Sequence, residues 1–316
     1  MILMSNKAII TVEEFDKLFE RLKNWNLWGE DDNKGTLNYI TPDKILAAAA
    51  LVKSGRSVSM AIPIDKTAAL DNVNPAIHYM AKTHDVDSGS VNIGFATDFL
   101  GMQFHGDSHT HIDALCHISY KGLLYNGIPA STVDVTGADY LDITAYKHGI
   151  IGRGIMIDVP RYRGVKWLEP GEVVTSEEII AIENAHGVRL EEGDIMVLRT
   201  GQYRRRLEMG PWNVGYSGEG RAGLDPYSLL LLHERKVAAF LPEGDGEVHP
   251  GYVEKMRSPI HALQVSAMGM MCADSLQLEE LAIACEEENR SAFMVVIAPL
   301  RLPRGTGSPF NPIAVF

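Results

Sequence analysis

The sequence predicts a mixed α/β fold in one domain. Three observations predict it. Segments with helical caps alternate with β-rich apolar runs from one end of the chain to the other. No linker, repeat or low-complexity stretch interrupts them. The 316 residues, 46% hydrophobic and 22% charged, are enough for a sizeable core. The expected organisation is a single domain over residues 1–316, with residues 1–55 as an N-terminal helical arm.

The elements follow in order. Thr11 and Glu14 have capping-box spacing, so a helix is expected to about residue 24. Residues 29–35 read as a loop. Thr41-Pro42 is an N-cap followed by proline in the first turn, opening a helix to about residues 54–55. Residues 57–64 alternate as a strand. Residues 150–159 and 194–200 are β-rich apolar runs. Between them, Thr175 and Glu178 cap a helix that Gly187 stops. Residues 237–241 are a short buried strand. Ser258-Pro259 opens a helix carrying His261. Asp274 or Ser275 is expected to cap a helix to about residue 288. Residues 292–298 are a late strand. Residues 303–316 read as a Gly/Pro-rich loop with a buried apolar end.

Composition narrows the function. Lys and Arg number 29 against 41 Asp and Glu, a formal charge of −12. That acidity argues against nucleic acid or an anionic membrane as the main partner. Cys116, Cys272 and Cys285 do not form a disulfide framework, and no CxxC is present. Residues 1–10 lack a signal-peptide pattern, and no apolar run reaches spanning length. The expectation is a cytoplasmic protein with reduced thiols.

One segment stands apart: Phe104-His-Gly-Asp-Ser-His-Thr-His-Ile-Asp-Ala-Leu-Cys-His117. It holds four of the 11 histidines, where an even spread would place about half of one. His105, Asp107, His109, His111 and Asp113 alternate. An extended strand would put all five on one face. Imidazole and carboxylate together suit Zn, Mn or Fe. A helical turn after Asp113 would return His117 to that carboxylate. A solvated edge strand is the plainer alternative. A cupin pattern fails, because residues 114–116 supply no glutamate. An amidohydrolase-type barrel, which opens on a His-x-His such as His109-x-His111, is a lesser alternative.

Thr110-His111-Ile112-Asp113-Ala114, followed by His117, resembles the signature of the putative cyclase family. That family includes bacterial kynurenine formamidases and isatin hydrolases. Its pattern runs His-x-Gly-Thr-His-x-Asp-Ala-Pro-x-His. Further pieces are similar to its longer members: Trp28-Gly29 with Asp31-Asp32, Gly35-Thr36-Leu37-Asn38, Gly152-Arg153-Gly154 with Asp158-Val159-Pro160, Gly193-Asp194 with Arg199-Thr200-Gly201, and Gly305-Thr306-Gly307-Ser308-Pro309. The departures are Asp107 at the first metal histidine, His109 at the glycine and Leu115 at the proline.

The resemblance implies a swivelling β/β/α-type fold, with a mixed sheet, a barrel-like core and flanking helices. It implies a metal-dependent hydrolase that opens a cyclic amide, lactone or N-formyl amide by attack of metal-bound water on the carbonyl. One divalent ion, Mn or Zn, would be held by Asp107, His111 and Asp113, with His261 as a further ligand or oxyanion partner; a plain helix N-terminal histidine explains His261 equally well. His109 and Asp274 are additional metal or supporting candidates, and Asp274 would belong to a second ion. An N-cap role explains Asp274 equally well. His117 is the candidate general base, with a supporting or core histidine as the alternative. A small-molecule substrate and a homo-oligomer are expected. A non-catalytic metal or small-ligand binding protein of the same fold is the alternative function. Glu243 and Asp245 read as turn residues, Trp25 and Trp28 as core, Arg204-Arg205-Arg206 as a solvated face, and the remaining histidines as surface or core.

Overall fold

The computed structural model describes residues 8–84, 93–215 and 218–316. Part of the N-terminal stretch read above for a signal peptide, residues 1–7, lies outside them. A sheet of nine strands organises the rest: β1 (Ser57–Ser59), β2 (His111–Asp113), β3 (Ile150–Asp158), β4 (Ile195–Arg199), β5 (Ala239–Pro242), β6 (Met271–Asp274), β7 (Ala292–Ile297), β8 (Gly307–Pro309) and β9 (Ile313–Val315). Their order is β1-β9-β7-β3-β4-β5-β6-β2-β8. The β3–β4, β4–β5 and β5–β6 pairs are parallel. Pairings on either side of this block are antiparallel. The sheet curls into a half-barrel with helices against it. A closed, all-parallel eightfold barrel is not formed, which removes the amidohydrolase alternative.

The central strands are buried on both faces, which explains their unbroken apolar runs. Ile195, Val197, Ala239, Leu241 and Met156 join one core. Met196, Leu198, Phe240, Ile155 and Ile157 join a second core on the opposite face. Helix α1 (Val12–Leu22) carries the expected capping box at Thr11 and Glu14. It buries Phe15, Leu18, Phe19 and Leu22 in the second core. Helix α2 (Pro42–Ala49) packs against β3. Helix α3 (Ser176–His186) starts at Thr175 and ends on left-handed Gly187. Helices α4 (Gln202–Met209), α5 (Leu229–Glu234) and α6 (Glu279–Glu287) complete the main set.

Several expectations are corrected. Helix α2 stops at Ala49, and a tighter turn carries residues 50–52. The strand expected over 57–64 ends at Ser59; Pro63 further on has no ladder donor. The Gly/Pro-rich tail is not all loop, because β8 and β9 pair with β2 and β1. Its end is buried as expected, with Phe316 at 0% exposure. Asp274 caps no helix: it ends β6, and α6 begins five residues later after Leu278. Among the described residues, no helix is long and apolar enough to cross a membrane.

Candidate metal centre and active site

The extended segment around the histidines is short. Only His111–Asp113 is a strand, and residues 105–109 bend away from it. The five-residue polar face expected from alternation is therefore cut to His111 and Asp113. Period-two geometry still acts within those three residues. Ile112 enters the first core, leaving His111 and Asp113 on the other face. Strand β6 lies antiparallel alongside, with Cys272 opposite Asp113 and Asp274 opposite His111. Directly opposed residues share a face. Two strands thus place two carboxylates, an imidazole and a thiol together.

Asp113 is the centre of this group. It is 1% exposed, and neither carboxylate oxygen has a hydrogen-bond partner. Its Oδ1 lies 3.0 Å from His105 Nδ1 and 3.6 Å from His111 Nε2. Its Oδ2 lies 3.9 Å from His117 Nε2. Burial pushes its pKa up, but the three facing imidazoles reverse this and hold the carboxyl below its usual range.

His105 and His117 stack with ring centroids 3.8 Å apart and planes 2° apart. A turn, not a helix, returns His117 to Asp113; its backbone N–H donates to Ala114 at 2.9 Å. Burial pushes the His117 imidazole down to about 4, against the opposing pull of Asp113. It is therefore neutral at pH 7. The tail motif positions His105. Thr306 Oγ1 lies 3.0 Å from His105 Nε2. Gly307 leaves room beside it, since a Cβ there would come within 2.7 Å of His105 Cε1 and 2.6 Å of the Ile112 carbonyl oxygen.

His261 arrives from the far side. It ends the helical turn Pro259–His261, which continues as a π-helix over Ala262–Ala267. Such distortions often mark functional sites. Glu247, fully buried, accepts from the backbone N–H of His261 at 2.9 Å and of Ile260 at 3.1 Å. Glu247 Oε1 also lies 2.9 Å from His261 Nδ1. His261 Nε2 is left 3.0 Å from Asp274 Oδ2. Burial opposes charging of His261, but Asp274 and Cys272 outweigh it and raise its pKa well above the ordinary value. Cys272 Sγ lies 3.0 Å from Asp274 Oδ1 and 4.0 Å from His261 Nε2.

Among the described residues two groups of donor atoms follow, each with all its atoms within 4.8 Å of one another: Asp113, His261, Cys272, Asp274; and His105, Asp113, His117. Asp113 belongs to both. These residues fit a divalent ion. His111 Nδ1 faces the His109 carbonyl oxygen at 2.9 Å, which can only accept, so Nδ1 carries the proton. In the neutral ring, Nε2 is then a bare lone pair. It faces Asp113 at 3.6 Å and Asp274 at 3.8 Å. Three electron-rich groups, His111 Nε2 and the Asp113 and Asp274 carboxylates, converge on one point. A bound cation relieves that arrangement.

Of the residues singled out from sequence, the structure brings together His111, Asp113, His117, His261 and Asp274. Neither donor group includes Asp107, His109 or His111, and of these three only His111 faces the centre, its Nε2 lying 3.6 Å from Asp113 and 3.8 Å from Asp274. Asp107 Oδ1 instead pairs at 2.6 Å with the Arg221 guanidinium, which is 3% exposed and also pairs with Asp245 at 2.9 Å. Burial raises the Asp107 pKa, and Arg221 pulls it back. His109 is buried, with neither ring nitrogen hydrogen-bonded. It contributes through its backbone carbonyl. The sequence places His105 on the alternating polar face, but it is absent from the expected ligand set because the family pattern begins at residue 107. The Phe104-His105-Gly106 run was the available signal. Sequence reasoning missed Cys272, which no CxxC spacing marks. Glu243 was read as a turn residue, yet it is 1% exposed and accepts from the Thr200, Gly201 and Gln202 N–H groups at 2.8, 2.5 and 3.2 Å.

Comparison with known proteins adds an independent line. A family model described as putative cyclase matches residues 38–244. A crystal structure described as a novel cyclase is 31% identical, covering 94% of this chain and 99% of that one, with a TM-score of 0.84. Isatin hydrolase A from Ralstonia solanacearum is 20% identical over 87% of this chain and 98% of its own, with a TM-score of 0.59. An isatin hydrolase bound to the product analogue thioisatinate is 20% identical over 86% and 94%, with a TM-score of 0.56. At that identity the isatin hydrolases share the fold. No curated protein matches.

Proposed function

The chain belongs to the putative cyclase family, and from that premise we propose that it is a metal-dependent hydrolase opening a cyclic amide, lactone or N-formyl amide. The observation that carries this reading is Asp113. A buried carboxylate with two unpartnered oxygens, ringed by imidazoles and shared between two donor groups, has no packing rationale.

His111, Asp113, His261 and Asp274 would hold one divalent ion, and His105 lies on the open side. When bound, that ion supplies a Lewis acid for the carbonyl and lowers the pKa of water. The chain's own residues do the rest. Glu247 and the His109 carbonyl fix the ring orientations of His261 and His111. His105 and His117 have side chains 24% and 27% exposed, whereas His261 and Asp274 are sealed at 8% and 5%. A substrate therefore approaches across the stacked pair. His117 Nε2, neutral and facing the centre, takes a proton from the attacking water and returns it to the leaving nitrogen or oxygen. The expected homo-oligomer remains part of this reading. It is supported by exposed Tyr79, Phe99 and Leu100 on a hairpin of Ile77–Lys82 and Thr97–Gly101.

The test is a panel of lactams, lactones and N-formyl amides, run on the parent and on His117→Ala. Turnover should appear in the parent and fall on the order of 10²–10⁴-fold in the variant, with metal content unchanged. Loss of metal from His117→Ala would instead make His117 a ligand. No turnover with metal bound would favour the non-catalytic binding protein.

A further inference from the structure

The three cysteines sit in different surroundings. Cys285 Sγ lies against Met156 Sδ at 3.6 Å. Cys116 Sγ lies 3.9 Å from the Gly305 carbonyl oxygen. Both behave as small buried hydrophobes. Cys272 is fully buried too, yet its sulfur faces Asp274 Oδ1 at 3.0 Å and His261 Nε2 at 4.0 Å. Register puts it there. It is opposite Asp113 on β2 and two residues before Asp274 on β6, so three donors share one face.

We propose that Cys272 is a sulfur ligand of the metal ion, which makes this a mixed nitrogen, oxygen and sulfur site selective for zinc-like borderline ions over manganese. The inference rests on the metal-site reading above and specifies the ion's class. Sγ, the two carboxylates and the imidazole lie within 4.8 Å of one another. Neighbouring donors on a tetrahedral ion are roughly 3.3–3.8 Å apart, given bonds of about 2.0–2.3 Å. The group is within side-chain adjustment of that spacing. A second, independent observation points to a ligand: Asp113 is 1% exposed, and its unpartnered oxygens lie in the same group. Thiolate favours zinc and cobalt, whereas manganese prefers carboxylate, carbonyl and water. Ligation transfers the thiol proton to solvent and forms the metal–sulfur bond, with no redox change.

X-ray absorption at the zinc edge of the loaded, full-length protein reads the ligand without a variant. A sulfur scatterer at about 2.3 Å supports the proposal, and nitrogen and oxygen scatterers alone at about 2.0–2.2 Å overturn it. The cobalt(II)-loaded protein gives a second reading. A near-ultraviolet sulfur-to-cobalt charge-transfer band should be present and should disappear in Cys272→Ser. Cobalt bound without that band in the parent overturns the proposal, whatever the variant does. The hydrolase reading fails separately: a sulfur scatterer with no turnover on the panel sinks the activity and keeps the ligand, and turnover without sulfur does the reverse.

Discussion

Asp107→Ala separates two roles for one carboxylate. The sequence motif places Asp107 where a metal ligand is expected; the structure spends it on Arg221 at 2.6 Å. Removing one partner of a buried ion pair costs about 3–5 kcal/mol. Here the cost is lower. Arg221 keeps Asp245 at 2.9 Å and still donates from Nε to the Val214 carbonyl at 3.0 Å. Asp107's side chain is also 34% exposed, so solvent already screens the pair. About 2 kcal/mol remains. Unfolding entropy is about 2.1 cal/mol/K per residue. Over 316 residues, that loss lowers Tm by roughly 3 °C. Thermal melts followed by circular dichroism, with elemental analysis of the same samples, read both quantities. A lowered Tm with full metal content is expected. Lost metal with an unchanged Tm would refute the assignment and restore Asp107 as a ligand.

Two further predictions concern buried carboxylates. Glu247→Ala removes the group that orients His261, so zinc affinity in a chelator competition should fall on the order of 10–100-fold; unchanged affinity would mean that His261 is positioned by packing alone. Glu243 is raised by burial from 4.5 to about 7, with Arg199 opposing. A raised folded-state pKa gives stability that is full below the unfolded pKa and lost as pH rises through about 7. Relative to Glu243→Gln, the parent should lose up to about 3 kcal/mol between pH 4.5 and 8; urea melts giving a pH-independent difference between the two would contradict this.

Local signals in the sequence translate well into local structure. Thr11 with Glu14, and Thr175 with Gly187, mark real helix ends because cap chemistry is settled within a few residues. The buried central strands are legible because both faces are covered. Pairing is not local, and there the reading falls short. The tail looks like loop until Ser308 and Ile313 are set against partners almost 200 residues or more away in sequence. Asp274 looks like a cap until its register with His111 is known. His105 and Cys272 reach the site by a bend and by a strand pairing, neither of which spacing encodes. The His111, Asp113 and His117 part was legible because strand alternation and one turn suffice to gather it.

The central claim is that Asp113 anchors a metal ion. Elemental analysis of protein purified without chelator, beside Asp113→Ala, tests it directly. About one equivalent of a divalent metal is expected in the parent, or two if both donor groups sharing Asp113 fill, with loss in the variant. A parent that takes up no metal even on reconstitution, or an Asp113→Ala protein that retains it fully, would contradict the claim.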